Sequence, residues 1–505
     1  MAGGMGGANV GDYLLAAGAP DDFAVIDGGR RYTYGQLRTA AARLAGELGR
    51  LGVPPGASIG ILATNSFFWV AAYLAALKVG VAVPLSEKNT PGDLTAQAAW
   101  VGCAALMADR RTHRRLGSAF PGVPLVTDAV LEADGPSAWP DSATDPAANA
   151  ALMFTSGTTS RPKAVQVTHA NLRANTESIV AYLDLRRSDR MLVILPFHYC
   201  FGASLLHTHL SVGGSVVLCN TFTFPETAVE AIARESCTGF AGVPSSFQLL
   251  LRTSSYASRP LPSLRLVQQA GGRLAPALIR QLAAAQPASE LFVMYGQTEA
   301  TARLSYLPPA VLEAKLGSIG RGIPGVELRV LDDAGRPVRP GVPGEIWASG
   351  ANISPGYFRD PEATAAKFPG GDLRTGDLAT VDEDGYLFIV GRSENFIKSW
   401  GHRVSPQQVE EAVLPHPSVA EAAVVGLPDA DAGEAVALAV VPADGATVDT
   451  AELLAFLRGV LPKHMVPTSV HLLPALPLNA NGKVSSPELR SLLGQRAARG
   501  SVEGQ

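Results

Sequence analysis

Charge is scarce in this 505-residue chain: Asp, Glu, Lys and Arg make up 17% of it, below the roughly 25% of an average soluble domain. The two signs nearly cancel, 41 cationic against 45 acidic residues for a formal net charge of −4. No generally basic surface of the kind that binds nucleic acid follows from that balance. Cysteine is also scarce. Cys103, Cys200, Cys219 and Cys237 lie far apart and form no Cys-x-x-Cys pair, which argues against a zinc ribbon or a disulfide framework. Reduced core thiols in a cytoplasmic protein are the expectation. The opening residues have no basic stretch followed by an apolar one, so no secretory signal is read there. Long apolar runs are missing too. The strongest candidate, Phe67–Leu77, is bounded by Asn65, Ser66 and Lys78, well short of the roughly 20 residues that a membrane span needs. It reads as a buried helix capped by Asn65.

Apolar material is abundant at 47%, and the length exceeds the roughly 250–300 residues at which single cores stop growing. At least two domains are expected. Arg31–Leu51 has helical spacing at Leu37, Ala41, Leu44 and Leu48, and Ser58–Ala63 and Val79–Pro84 read as strands on either side of the Phe67–Leu77 helix. The rhythm recurs at Met191–Leu195, Ser215–Leu218, Arg265–Gln269 and Glu290–Met294, which predicts βαβ units and a parallel sheet. From Gly325 onward, Val326–Leu331, Gly344–Ser349, Leu378–Val381 and Tyr386–Val390 alternate between Asp/Gly turns; a small antiparallel β region is expected. Beyond Gly391 the pattern is helix (Gln407–Val413), strands (Val419–Val425, Glu434–Val441) and helix (Thr450–Leu461). That predicts a small α/β domain with a linker near Arg392–Glu394.

Five segments carry polar chemistry. Thr155-Ser156-Gly157-Thr158-Thr159-Ser160-Arg161-Pro162-Lys163 follows an apolar strand, Ala150–Phe154. Its hydroxyls, flexible Gly and cations form the donor set that phosphate oxygens need. No Gly-Lys-Ser/Thr closes it, so it is not a Walker loop; on composition alone it reads equally as a Ser/Thr-rich surface turn. Tyr295-Gly296-Gln297-Thr298-Glu299 sets an aromatic, a hydroxyl and a carboxylate at a strand end, where a base can stack and Mg²⁺ can be held. Arg374-Thr375-Gly376-Asp377 reads as an Asp in a tight turn, able to accept hydrogen bonds from ribose hydroxyls or simply to close an Asx turn. The fourth is Gly391–Lys398, continuing to Gly401-His402-Arg403-Val404-Ser405. The fifth, Asn479-Ala480-Asn481-Gly482-Lys483, presents a lone Lys on a Gly turn.

Taken in order, these segments, with Pro196–Gly202 and Gly344–Tyr357, resemble the adenylate-forming superfamily of acyl- and aryl-CoA synthetases, luciferases and peptide-synthetase adenylation domains. The resemblance covers nearly the whole chain. It implies an α/β fold: an N-terminal domain of two α/β subdomains plus a small β-barrel (residues 1–391, the barrel about 325–391), a hinge at 392–394, and a mobile α+β C-terminal lid at 395–505. It implies an AMP-forming ligase in which a carboxylate attacks the α-phosphate of ATP–Mg²⁺, and a thiol then displaces AMP.

By the same resemblance, Thr155, Ser156, Gly157, Thr158, Thr159 and Lys163 hold the β- and γ-phosphates. Tyr295 and Gly296 meet adenine beside Ala270, Gly271 and Gly272. Thr298 and Glu299 serve phosphate and Mg²⁺, and Asp377 holds ribose with Arg392. Lys483 neutralises the α-phosphate and the carboxylate in the first step. The lid then turns about Glu394, bringing in Lys398 and Gly401 for the thiol, while His198 stands between acid pocket and thiol tunnel. The phosphate segment has Ser160 and Ala164 where the family often has Gly, which stiffens it. Tyr199, Phe201, Val243, Ser245, Ala270 and Gln297 wall the acid pocket with His198. No carboxylate occurs in His198–Ser204, and an unpaired buried ammonium is costly, so an apolar or aromatic acid is expected over an α-amino acid. The expected acceptor is CoA; alternatives are the phosphopantetheine of an acyl carrier protein acting in trans, or a non-thiol acceptor. An inactive nucleotide-binding scaffold is the remaining alternative, opposed by the presence of Glu299, Asp377, Arg392 and Lys483. Neither nucleic acid nor membrane is an expected partner.

Overall fold

Alternating apolar strands and helices build two sheets in the first part of the chain. The computed structural model describes residues 8–132, 138–141, 143–155, 163–392, 396–400, 402–429, 431–443, 445–478 and 484–500. Among these, one sheet has six strands in the order Leu125–Thr127, Ala105–Ala108, Ser58–Leu62, Val81–Pro84, Asn149–Thr155 and Lys163–Thr168. Its pairs are parallel except the last. The other has nine strands. Its centre is a parallel run of Glu290–Tyr295, Leu266–Gln269, Gly239–Gly242, Arg190–Val193, Ser215–Leu218 and Phe23–Asp27, with antiparallel strands at both edges. The βαβ rhythm of the sequence produces this arrangement, because parallel neighbours need a helical crossover.

The helix Phe67–Val79 is apolar on every side, and every residue from Phe67 to Lys78 is buried, as a helix without a polar face requires. Lys78 is tolerated because Asp12 sits 2.8 Å from its ammonium. The cap differs from the sequence expectation. Ser66, not Asn65, accepts the Trp69 N–H at 3.1 Å, being the residue directly before the first turn. Asn65 reaches across instead: its Nδ2 donates to the Leu195 carbonyl at 2.8 Å and its Oδ1 accepts the Phe197 N–H at 2.9 Å. The helix expected at Arg31–Leu51 spans Tyr34–Arg50, since Arg30–Thr33 pairs with Phe23–Asp27 as a strand and Thr33 forms a capping box with Gln36.

The chain divides into two compact units, Met1–Leu328 with Ala348–Arg374, and Arg329–Trp347 with Thr375–Gln505. The strands Val326–Leu331, Gly344–Gly350, Leu373–Val381 and Leu387–Arg392 pair in chain order. In the second unit, His402–Val404, Ile397–Ser399, Gly433–Pro442 and Val419–Asp429 form a sheet with Ser469–Leu472 alongside. Val409 and Val413 of one helix and Leu453 and Leu457 of another share a core with Val424, Val436 and Leu438. No helix among the described residues is long and apolar enough to cross a membrane.

Burial of histidines marks the first unit. The helix Cys200–Ser211 is buried from Cys200 to Leu210. His207 meets the Tyr73 hydroxyl at 2.9 Å and His209 Nδ1 meets the Leu205 carbonyl at 2.8 Å. Burial pushes the imidazole of His207 down to about 3, and those of His169, His198 and His209 down to about 4. An unfolded histidine protonates near 6.5. Between pH 6.5 and about 4 the unfolded chain therefore takes up protons that the native state refuses. Native stability is whole above that range and falls as pH drops through it, by up to about 1.4 kcal/mol per pH unit for each such histidine. The urea unfolding midpoint should accordingly drop from pH 7 to pH 5; a midpoint constant over that interval contradicts the assignment.

Candidate active site

In an open parallel sheet, ligands are met beyond the carboxyl ends of the strands. Four neighbouring strands end together here. Arg190–Val193 leads to Pro196–His198, Gly239–Gly242 to Val243 and Ser245, Leu266–Gln269 to Ala270–Gly272, and Glu290–Tyr295 to Gly296–Glu299. The registers Gly242↔Gln269 and Gln269↔Val293 set these ends side by side. The sequence-predicted His198, Val243, Ser245, Ala270, Gly271, Gly272, Tyr295, Gly296, Gln297, Thr298 and Glu299 thus share one rim. Gln269 Nε2 donates to the Gly272 carbonyl at 2.7 Å, and Gly271 adopts φ +84°, a conformation that Gly takes without strain. At Gly296 the constraint is space: a Cβ would lie 1.9 Å from the Ala302 carbonyl oxygen.

Glu299 is buried in a short 3₁₀ turn, Thr298–Ala300. Its Oε1 accepts the Tyr357 hydroxyl at 2.8 Å, and its carbonyl accepts the Ser354 N–H at 2.9 Å. Thr301 follows at φ +66° and donates through Oγ1 to the Asn352 carbonyl at 2.8 Å. Asn352 Nδ2 in turn reaches the carbonyls of Ala300 at 3.2 Å and Arg303 at 2.8 Å. One stretch, Asn352–Tyr357, therefore braces the whole Glu299 turn. The same Tyr357 ring lies 5.3 Å from the Lys163 ammonium. Thr155 and Lys163 face each other across antiparallel strands. The base of the hydroxyl-rich segment is so brought to the carboxylate of Glu299. Ser156, Gly157, Thr158 and Thr159 lie outside the described residues.

His198 has a buried Nε2 without a hydrogen-bond partner among the described residues. Burial, with Lys88 nearby, pushes it down to about 4, so it is neutral at physiological pH. The helix after it presents Cys200, Ala203, Ser204 and His207, at i, i+3, i+4 and i+7, to an internal cavity shared with Tyr73, Asn175, Thr301 and Ala302. Thr298 Oγ1 approaches Cys200 Sγ at 3.5 Å, linking that cavity to the Glu299 turn. Phe201 does not line it. That ring lies under the buried Arg303, whose guanidinium carbon is 4.4 Å from its centroid. Tyr199 is half-buried with its ring edge-on to Phe201.

In the second unit Asp377 is buried, and Arg392, its cross-strand partner, donates Nε to Oδ1 at 2.9 Å. The segment expected to be a tight turn is part of the strand Leu373–Val381; Gly376 at φ +78° kinks it locally, so turn chemistry appears inside a strand. Lys398 is exposed on Ile397–Ser399. Glu394, Gly401 and Lys483 lie outside the described residues. Sequence reasoning gave Asn65 only a capping role and passed over Tyr73, Asn175, His207 and Asn352. Polar side chains inside otherwise apolar runs, such as Tyr73 and His207, were the available signal.

These features define a nucleotide-using α/β enzyme, and the chain belongs to the AMP-binding enzyme family. The family's AMP-binding enzyme model matches residues 15–358 and its C-terminal domain model residues 408–483. The protein is an ATP-dependent, AMP-forming ligase of the acyl-CoA synthetase class. It is similar to a feruloyl-CoA synthase of an Amycolatopsis species, 35% identical over 487 residues that take in 94% of this chain and 97% of that one. An indoleacetate–CoA ligase of Aromatoleum aromaticum is 31% identical over 483 residues, 92% and 94% of the two chains. The ATP-bound MatB of Rhodopseudomonas palustris matches with TM-score 0.89 at 27% identity, over 97% of this chain and 99% of that one. The amide bond synthetase McbA of Marinactinospora thermotolerans matches at 0.88 with 30% identity, over 96% and 99%.

Two substitutions test the braces. Tyr357→Phe removes the donor to Glu299 and should lower the rate of adenylation about tenfold, the usual cost of losing an outer-shell partner; an unchanged rate in pyrophosphate release refutes the brace. Asn65→Ala leaves a buried carbonyl and N–H unpaired and should cost about 2–4 kcal/mol of stability, read from urea unfolding.

Proposed function

We propose that the protein activates an apolar or aromatic carboxylic acid with ATP and passes the acyl group to CoA. The observation that carries this reading is the Lys163–Tyr357–Glu299 arrangement at the carboxyl ends of the parallel strands. It ties a cation and a braced carboxylate to one tyrosine where a triphosphate would be met. In the first step a carboxylate oxygen of the acid attacks the α-phosphorus. The bond from that phosphorus to the β-bridging oxygen breaks, and pyrophosphate leaves. In the second step the CoA sulfur attacks the acyl carbonyl, AMP departs with the former carboxylate oxygen, and the thiol proton goes to solvent.

The residue roles follow the sequence reading. Thr155–Lys163 receives the β- and γ-phosphates, Tyr295 and Gly296 the adenine, and Asp377 with Arg392 the ribose. Glu299 with Thr298 offers oxygen ligands of the hard kind that Mg²⁺ takes alongside substrate phosphates. Bound there, the metal would offset phosphate charge; Tyr357 keeps the carboxylate aimed. His198, being neutral, adds a polar surface near the reacting carboxyl without a charge that would trap it. Lys483 meets the α-phosphate, where fixed positive charge offsets the charge that builds on the oxygens. We assign residues 1–391 to the N-terminal domain, 392–394 to a hinge containing Glu394, and 395–505 to a lid that brings Lys398 and Gly401 into the thiol step. The four free cysteines and the use of ATP are consistent with a cytoplasmic reaction.

ATP–pyrophosphate exchange across a panel of acids tests the reading, followed by mass spectrometry of products with CoA, a carrier protein or an amine offered as acceptor. Exchange with no acid would sink it; acyl transfer only to carrier or amine would replace CoA. Lys483→Ala should abolish adenylation, while thiolysis of a supplied acyl-adenylate persists. Equal loss of both half-reactions contradicts the role given to Lys483.

A further inference from the structure

The internal cavity behind Cys200 is lined by Tyr73, Ala151, Met153, Asn175, Ser204 and His207, together with the other residues of its wall, and none of them carries a formal charge at neutral pH. Its position relative to the reaction follows from the helix. Cys200, at the first turn, touches Thr298, and His207 stands seven residues on, roughly 10 Å farther along the axis. Cys200, Ala203, Ser204 and His207 share one helix face, so the small cavity lies between the Glu299 turn and His207. There the Tyr73 hydroxyl and His207 Nε2 meet at 2.9 Å, both rings being fully buried. Trp69 stacks on Tyr73 at 5.0 Å and Phe197 meets Trp69 tilted at 4.9 Å, which backs the Tyr73 ring with further aromatic rings. The cavity volume is about 10 Å³, room for one water-sized group.

We infer that this cavity is the inner end of the acid pocket, and that the Tyr73–His207 pair reads an uncharged hydroxyl at the far end of an aryl monocarboxylic acid. The inference rests on the activity proposed above and names the substrate class within it. Three features support it. A site with a buried polar pair discriminates more sharply than an apolar wall, because an analogue lacking the partner leaves that pair under-bonded. Hydroxyl groups donate and accept, so they can join a Tyr–His pair whichever ring nitrogen holds the proton. A second carboxylate or an ammonium would enter a chamber with no counter-charge and bear the desolvation cost alone. Burial keeps His207 neutral, so the pair offers no charge to a dicarboxylate.

Pyrophosphate release is to be measured for matched acids: 4-hydroxycinnamic against cinnamic, 4-hydroxybenzoic against benzoic, and 4-carboxybenzoic as the charged control. The native enzyme should favour one hydroxylated acid over its parent by roughly tenfold in kcat/KM, the worth of one net hydrogen bond, and should neglect the dicarboxylate. In Tyr73→Phe the ratio should fall to near one. His207→Asn should lower the same ratio, and serves if the first variant folds poorly. Activity with equal or better use of the unsubstituted acids overturns this inference alone, as does an undiminished ratio in Tyr73→Phe or efficient use of the dicarboxylate. Silence toward every acid overturns the proposed activity and takes this inference with it.

Discussion

A carboxylate withdrawn from water must be given a donor, and for Glu299 that donor is Tyr357, 58 residues away in the chain. The rest of the rim is organised around this need. The turn that carries Glu299 contains a residue at positive φ, Thr301, and its carbonyls point where no strand can pair them. Asn352 and Ser354 satisfy those groups, and Tyr357 completes the set. Because the stretch is continuous with the strand contact Val165↔Tyr357, the hydroxyl-rich segment and the Glu299 turn are positioned by one piece of backbone. Misplacing that piece would disturb the base of the hydroxyl-rich segment and the Glu299 carboxylate together.

The inner cavity of the first unit and the Asp377 strand pair of the second differ electrostatically. Around the inner cavity of the first unit, polar groups are buried and neutral: histidines are held unprotonated by burial, and hydroxyls spend their hydrogen bonds on helix carbonyls. At Asp377 the second unit keeps a full charge pair, with Arg392 largely open to solvent and its carboxylate partner almost closed off, 63% against 5% side-chain exposure. A solvated arginine can move while its partner stays fixed.

Much of the fold was legible in the sequence. Ser215–Leu218 and Val326–Leu331 occur as read, and most other strands shift by one or two residues, because period-two apolar runs bounded by Gly and Asp leave little choice. The segments at Tyr295–Glu299 and at Asp377 stood out in the sequence as local polar clusters, although the turn read at Asp377 lies inside the strand Leu373–Val381. Long-range hydrogen bonds were not legible. Asn65 looked like a helix cap because it precedes an apolar run, yet Ser66 was the better-placed oxygen and left the longer amide to span 130 residues to Leu195. Tyr73 and His207 sat within runs that read as core, and only packing of two helices reveals that they face each other. Phe201 read as pocket wall by proximity to His198; helical geometry turns it away from the cavity and places it beneath Arg303.

The Asn65 amide has a consequence for how such enzymes can be recombined. It springs from the six-stranded half and grips the backbone on both sides of Pro196 in the nine-stranded half. A crossover that draws residue 65 from one parent and residues 195–197 from another keeps the seam only if both parents place an amide there. Breakpoints between the two sheets are therefore not neutral cuts, even though the sheets look like separable modules.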